Sequence, residues 1–416
     1  MKRAFFRPAD ILLPNNVYLP TWAVIACDQY SSERGYWTRA DIRVGSEPST
    51  LRMIVPEAYI SAPKLSLRER AVGLAAEAYL KGDIFREYPN CFVYVERTLR
   101  DGRVRRGLVG VLDLEAYDYT GKNSHIRATE QTVADRLPLR ARVRRGSPLE
   151  MTHIMALIND PKKTVIEPLA NTVLPRMYSF DLMENSGHLN GYLVGGAPAR
   201  ELSQAVSVLP GGIVIGDGNH SLAAAKLMWE EIKQNLPKRE HATCPARFAL
   251  AEVCNIHDDA IDFHPIHRAV FNVDADSFID GLTEAVSGDG QRTIKCVSPK
   301  FNHDTRARSH KEREIRVRDV PAGELIAQVQ GYIDKYINER SGKVRALTPR
   351  VDYIHGEKSL RSVVSAQDSV GVIMPAIDKK ELFRVISSPG GVFPRKSFSI
   401  GEAWDKRFYV ECRKVK

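Results

Sequence analysis

Long apolar runs are missing from this chain of 416 residues. No stretch approaches the roughly 20 apolar residues that a membrane-crossing helix needs. The basic start, MKRAFFRPADILLPNN, is broken by Arg7, Pro8 and Asp10 before the apolar core of a signal peptide is reached. Cysteine is sparse as well. The six residues Cys27, Cys91, Cys244, Cys254, Cys296 and Cys412 form no C-x-x-C pair, which predicts reduced thiols in the cytoplasm rather than a disulfide framework. Cys244, Cys254, His257, His264 and His267 match no zinc-module spacing, so no metal site is expected. The chain also lacks a Walker A loop, a G-x-S-x-G elbow and a G-x-G-x-x-G turn, which weighs against P-loop, α/β-hydrolase and Rossmann dinucleotide chemistry. No repeat, low-complexity tract or Pro/Gly/Ser linker divides it.

What is present is the mix of a globular protein: 43% hydrophobic and 27% charged residues, with a net charge of +9. The positive excess favours an anionic partner, a nucleotide, a phosphorylated metabolite or nucleic acid, without choosing among them. WAVIACDQY (22–30) reads as a buried strand, and Ser66 to Lys81 as a helix opened by an S-x-x-E capping box. CFVYVERTLRDGRVRRGLVGVLDLE is a hairpin turning at Asp101-Gly102. GGIVIGDGNHSLAAAKLMWEEIK is a strand, a turn and a helix, and FNHDTRARSHKEREIRVRD reads as an exposed hairpin. Interleaved strands and helices predict an α/β (mixed α+β) fold. The expected organisation is an N-terminal α/β region over 1–123, a core over 124–275 and a C-terminal α+β region over 276–416, with soft boundaries.

The chemistry centres on IVIGDGNHS (213–221). The first N–H groups of a helix have no internal acceptor, and the helix dipole makes that end positive. Gly216 and Gly218 would let a phosphate approach the backbone, with Asn219 and Ser221 beside it, Asp217 as a proton acceptor and His220 as a donor. A plain glycine turn capped by Ser221 reads equally well. The segment RATEQT offers Arg127 and Glu130, and farther on Arg136, as phosphate grip and second carboxylate, whereas Arg140 to Arg145 read as a solvated face. His267 and Arg268 in FHPIHR are strand-borne anion contacts or packing residues. Arg395, Lys396, Lys406 and Arg407 form a secondary anion patch or a solvated edge.

Taken in order, VIACDQYSSERGYW, STLRMIVPEAYI, IRATEQTVADR, IGDGNHSLAAAK, FHPIHR, DYIHG and PRKSFSIGEAWDKRFYVE resemble the bacterial family called domain of unknown function 1015, from about Phe5 to the C-terminus. The turn is similar to that of the ParB/sulfiredoxin-like superfamily, which includes ParB CTPases, sulfiredoxin and free-serine kinases. The resemblance implies a ParB/sulfiredoxin-like core with an additional mixed sheet and helices. It places Asp217, Gly218 and His220 in a nucleotide-phosphate turn and suggests Glu130 as a second carboxylate. Asn219 and Ser221 depart from the histidine and arginine usual there. The expectation is a phosphoryl-transfer enzyme acting with a nucleotide (ADP, ATP or CTP) and Mg2+ on a small hydroxylated metabolite such as serine or phosphoserine. A non-catalytic nucleotide-binding module touching nucleic acid and a phosphatase are the alternatives.

Overall fold

The computed structural model describes the chain apart from residues 1–3, 32, 60–64, 121–123, 131, 133–136, 302–307, 341–347, 365–367 and 388–390. Two compact units emerge, Met1–Asp262 with Ile400–Lys416, and Phe263–Ser399. The division therefore falls at 262/263 and 399/400 rather than near 123 and 275, because the last 17 residues rejoin the first unit. The fold is mixed α/β.

The first unit holds strands β1 (Phe6–Arg7), β2 (Ala9–Pro14), β3 (Val24–Ile25), β4 (Phe85–Thr98), β5 (Val104–Asp113), β6 (Tyr117–Asp118), β7 (Ile126–Ala128), β8 (Leu149–Met151), β9 (Ile154–Ile158), β10 (Arg176–Asp181), β11 (His188–Val194), β12 (Ile213–Asp217) and β13 (Phe248–Asn255). Its helices are α1 (Leu19–Trp22), α2 (Arg34–Val44), α3 (Leu65–Lys81), α4 (Leu137–Gly146), α5 (Gly196–Val208) and α6 (Asn219–Gln234). A 13-stranded sheet runs β6-β7-β12-β9-β13-β5-β4-β2 and on to the C-terminal strand and β8. Within it β12 pairs parallel with β7 and antiparallel with β9. Ile213, Val214 and Ile215 are wholly buried, which is why β12 reads as an unbroken apolar run instead of an alternating one. The hairpin at Asp101-Gly102 forms as β4 and β5. The expected strand over 22–30 is cut to Val24–Ile25, with Leu19–Trp22 coiled into a helical turn that opens on Pro20. Ser66 lies inside α3, so it does not cap it.

The second unit holds β14 (Phe263–Phe271), α7 (Ala275–Val286), β15 (Thr293–Phe301), β16 (Arg308–Arg316), α8 (Ala322–Glu339), β17 (Arg350–His355), α9 (Glu357–Val363), β18 (Ser369–Ile373) and α10 (Lys379–Ser387), in a sheet ordered β16-β15-β18-β14-β17. The charged segment is a hairpin, as its alternation suggests. Phe278, Leu282, Leu325, Val329 and Ile333 are buried between α7 and α8 and give this unit its own core. β19 (Phe398–Ile400) leads back to the first unit, where β20 (Phe408–Tyr409) pairs with β3 and β21 (Cys412–Lys414) joins β2 and β8.

Candidate active site

The register between β7 and β12 sets Ala128 opposite Ile215, so Thr129 and Glu130 continue alongside Gly216 and Asp217. On the other flank Asp217 faces Met155 of β9, and His153 lies just ahead of β9. The carboxyl ends of β7 and β12, the amino end of β9 and the start of α6 thus meet at one place, the position where ligands enter open α/β sheets.

Both glycines of the turn have structural reasons. A Cβ on Gly216 would stand 2.5 Å from Ile400 Cδ1 and 3.1 Å from Leu157. Gly218 has φ of 85° and caps α6, with Ile154 Cα 3.2 Å from where a Cβ would be. Asn219 faces inward and is buried. Its Oδ1 accepts from the Thr129 N–H at 3.2 Å and its Nδ2 donates to Thr129 Oγ1 at 3.1 Å. The expected phosphate contact at Asn219 is therefore a staple between the turn and β7, and an amide does this where an imidazole would present one donor and one acceptor in a larger ring.

The side chain of Asp217 is held by two donors. Its Oδ2 accepts from Lys406 Nζ at 3.0 Å and its Oδ1 from the Gly218 N–H at 2.9 Å. Next to it stands Asp28, whose carboxyl is pushed above the usual range by burial and then by the negative charge of Asp217. His153 completes the group. Burial pulls its imidazole down, against the charges of Asp28 and Asp217. Its Nδ1 lies 3.4 Å from the Met151 carbonyl, and its buried Nε2 has no hydrogen-bond partner among the described residues. Read with Nδ1 protonated toward that carbonyl, the ring turns an Nε2 lone pair to its surroundings.

His153, Ser221, Cys27, Tyr409, Glu57 and Arg140 line a cavity of about 140 Å³ whose remaining wall is largely apolar, including Met53, Ile54, Val72 and Leu250. Arg140 was expected on a solvated face. Instead α4 packs on α6 through Leu137, Ala141, Ala223 and Ala224, which turns Arg140 toward the cavity, where its Nη2 meets Glu57 Oε1 at 2.9 Å. The Tyr409 hydroxyl accepts from the Cys27 N–H at 3.1 Å and so fixes the segment bearing Asp28. The Cys27 thiol is pushed up to about 12, by burial first and the Asp28 charge second, which leaves it no thiolate for nucleophilic attack.

The other expected residues lie as follows. Glu130 is half-buried at the end of β7 and His220 half-buried in the first turn of α6. Arg127 donates to the Gly211 carbonyl at 2.7 Å, at the opposite end of β12 from Asp217. Arg136 lies outside the described residues. His267 and Arg268 belong to the second unit. Arg268 is wholly buried, giving Nε to Gln330 at 2.8 Å and Nη1 to the Ile266 and Lys396 carbonyls at 2.6 and 3.0 Å. His267 Nδ1 accepts the Met374 N–H at 3.1 Å. Both have protein partners where a phosphate was expected. The secondary patch divides in the same way. Arg395 stacks over Tyr353 in the second unit, Lys396 is exposed there, and Arg407 is buried against Glu252 and Glu411 in the first. Only Lys406 of the four is placed on Asp217.

Among the described residues no group of three or more His, Cys, Asp or Glu is arranged to hold a metal ion, and no helix is long and apolar enough to cross a membrane. Sequence reading missed Asp28, His153, Glu57 and Arg140. The only local hint was a lone aspartate at the end of an apolar run in WAVIACDQY.

A free serine kinase variant in complex with ADP is similar to this chain at 11% identity and a TM-score of 0.40, covering 75% of this chain and 93% of that one. A free serine kinase in complex with AMP gives 13% identity and a TM-score of 0.39 over 73% and 91%. SbnI with a C-terminal truncation, from Staphylococcus aureus, gives 10% and 0.37 over 70% and 82%. Among curated proteins no relative matches. Residues 7–336 match the family described as protein of unknown function (DUF1015), and the chain belongs to that family.

Proposed function

We propose that the chain is a phosphotransferase that takes a nucleotide as its anionic ligand and moves a phosphoryl group to the hydroxyl of a small metabolite. One observation carries this reading: two neighbouring carboxylates whose surroundings push their proton affinities apart. Lys406 and the Gly218 N–H favour the Asp217 anion, while burial and the Asp217 charge favour a proton on Asp28. A pair of acids whose environments separate their proton affinities is the arrangement that moves a proton on a reacting group. Asp28, a stronger base than an ordinary aspartate once ionised, takes the hydroxyl proton. His153 Nε2, a second acceptor beside Asp28, takes a hydrogen bond from another donor of the metabolite and helps to orient it. The metabolite oxygen then forms its bond to phosphorus as the bond from phosphorus to the departing nucleotide oxygen breaks. Lys406, Arg140 and the start of α6 balance the charge on the phosphoryl oxygens, which is most of what such a reaction asks of a protein. Mg2+ would arrive carried on the nucleotide phosphates and add charge neutralisation there, since Asp28 is the base and Asp217 is paired with Lys406.

Thermal shift with ADP, ATP, CTP and phosphoserine in the presence of Mg2+ identifies the ligand, and turnover is then followed with serine and other small alcohols. Asp217→Asn is expected to lower turnover about 100-fold or more while the protein stays folded. Wild-type rates in that variant would remove Asp217 from the chemistry. Stabilisation by a nucleotide with no turnover of any alcohol or phosphomonoester would leave a binding module.

A further inference from the structure

Lys406 Nζ stands 3.0 Å from Asp217 Oδ2, so where the Lys406 main chain is held decides whether its ammonium reaches that carboxylate. Lys406 follows the short turn Ala403–Asp405 and precedes β20. The turn is closed locally by the reciprocal Glu402–Asp405 capping box, whose Glu402 N–H donates to Asp405 Oδ2 at 3.0 Å, and its main-chain carbonyls are held from the β4–β5 hairpin. Arg97 is 1% exposed, and it donates through Nη1 to the Lys406 carbonyl and through Nη2 to the Trp404 carbonyl at 2.5 Å and the Ser186 carbonyl at 3.0 Å. Arg105 is 2% exposed and donates through Nη1 to the Asp405 carbonyl at 2.9 Å. Three successive main-chain carbonyls, 404 to 406, are thus taken by two buried guanidiniums. Arg100, on the exposed rim, stacks on the Trp404 ring at 4.2 Å and donates to the Asn185 and Glu184 carbonyls.

Two neighbouring buried guanidiniums are a costly way to satisfy backbone carbonyls. Asp405 and then Glu252 lie close enough to offset the charge of Arg97, but the Glu252 ion pair at 2.9 Å is with Arg407. Desolvated charges of this kind give little net stability. Their planar forks do give geometry, because several donors at fixed angles define a main-chain position where one flexible ammonium would not.

We propose that Arg97 and Arg105, steadied at the rim by Arg100, are positioning residues that lock the Trp404–Lys406 main chain so that Lys406 reaches Asp217. The proposal rests on the reading of the Asp217–Lys406 pair as part of the site, and it is tested by a measurement that needs no turnover. His153 is the reporter, since the groups facing it are Asp28, Asp217, Arg140 and the Tyr409 ring. If Lys406 leaves Asp217, the carboxylate charge is less balanced and His153 binds its proton more tightly. The His153 ring resonance is titrated by NMR in wild type, Lys406→Met, Arg97→Lys, Arg105→Lys and Arg100→Ala. The Arg→Lys changes keep the charge and remove the fork. Lys406→Met is expected to raise the His153 midpoint by roughly half a pH unit or more, with Arg97→Lys and Arg105→Lys moving it the same way and Arg100→Ala by less. Arg247→Lys alters a buried arginine that pairs with Asp113 and donates to none of carbonyls 404 to 406. It is expected to lower Tm without moving His153. Because Arg100 is exposed, Arg100→Ala keeps the test alive if both buried variants fail to fold. A wild-type His153 midpoint in every folded arginine variant, beside a shifted one in Lys406→Met, would overturn the proposal. Failure to detect any turnover would count against the proposed reaction and leave this result standing.

Discussion

Asp28 sits beside a second carboxylate in a partly desolvated place, and its protonation links stability to function. Its carboxyl is raised by burial and then by Asp217. The folded state therefore holds this proton more tightly than the unfolded chain, where an aspartate titrates near 3.9. The associated stability is fully present below that value and is lost as pH rises through the raised folded value. Above that window the ionised Asp28 is a standing penalty. Asp28→Asn removes the penalty and the base together. At pH 7.5 the variant is expected to melt above wild type while turnover drops about 100-fold or more. Calorimetry and the rate assay on the same preparation check both halves. A variant that melts below wild type would show that the Asp28 carboxylate is stabilising, contrary to its surroundings.

At the scale of elements, β14 shows how a histidine that resembles a ligand can be a strand clamp. Its His267 Nδ1 accepts the Met374 N–H, and burial lowers the imidazole from an ordinary 6.5 to about 4. The folded state binds fewer protons here than the unfolded chain. The clamp is therefore intact above about 6.5 and weakens as pH falls toward 4, at a cost of roughly 3 kcal/mol at most. Chemical denaturation of wild type and His267→Asn from pH 7.5 to 4 is expected to show a flatter decline in the variant, whose amide accepts the same N–H without titrating. Parallel slopes would mean that His267 charges freely in the fold. The elements themselves were largely legible. An apolar run, a glycine turn and a string of strong helix formers announced β12 and α6, and Asp101-Gly102 announced the β4–β5 hairpin. The candidate site was legible in the 213–221 turn, at Asp217 and Ser221, and, without its role, at Lys406. Asp28, His153 and Lys406 come from three distant stretches that meet through the β7-β12-β9 order and the β20–β3 pair. No local periodicity encodes that meeting. Nothing in the sequence signals that the guanidiniums of Arg97, Arg105 and Arg407 are buried against carbonyls and carboxylates.

On the scale of the whole molecule, the second unit is an insertion in the first. The chain leaves after Asp262 and returns at Ile400. The Gly401 N–H donates to the Asp262 carbonyl at 2.9 Å, so the points of exit and return are one hydrogen bond apart. Ends this close can be joined by a few flexible residues at little loop-closure cost. Asp28, His153, Asp217, Lys406 and the cavity that His153 lines all lie in the first unit, as do Arg97 and Arg105. A chain in which Asp262 is joined to Ile400 through two or three glycines is therefore expected to fold with the β20–β3 pair and β21 in place. Its His153 titration should match that of the full-length protein, and it should respond to Lys406→Met in the same direction. Phe263–Ser399, with its own buried α7–α8 core, is expected to fold when expressed alone and to unfold cooperatively. NMR and calorimetry on the two fragments test this. A spliced chain that folds but shows a His153 midpoint displaced from that of the full chain would mean that the second unit shapes the electrostatics of the site.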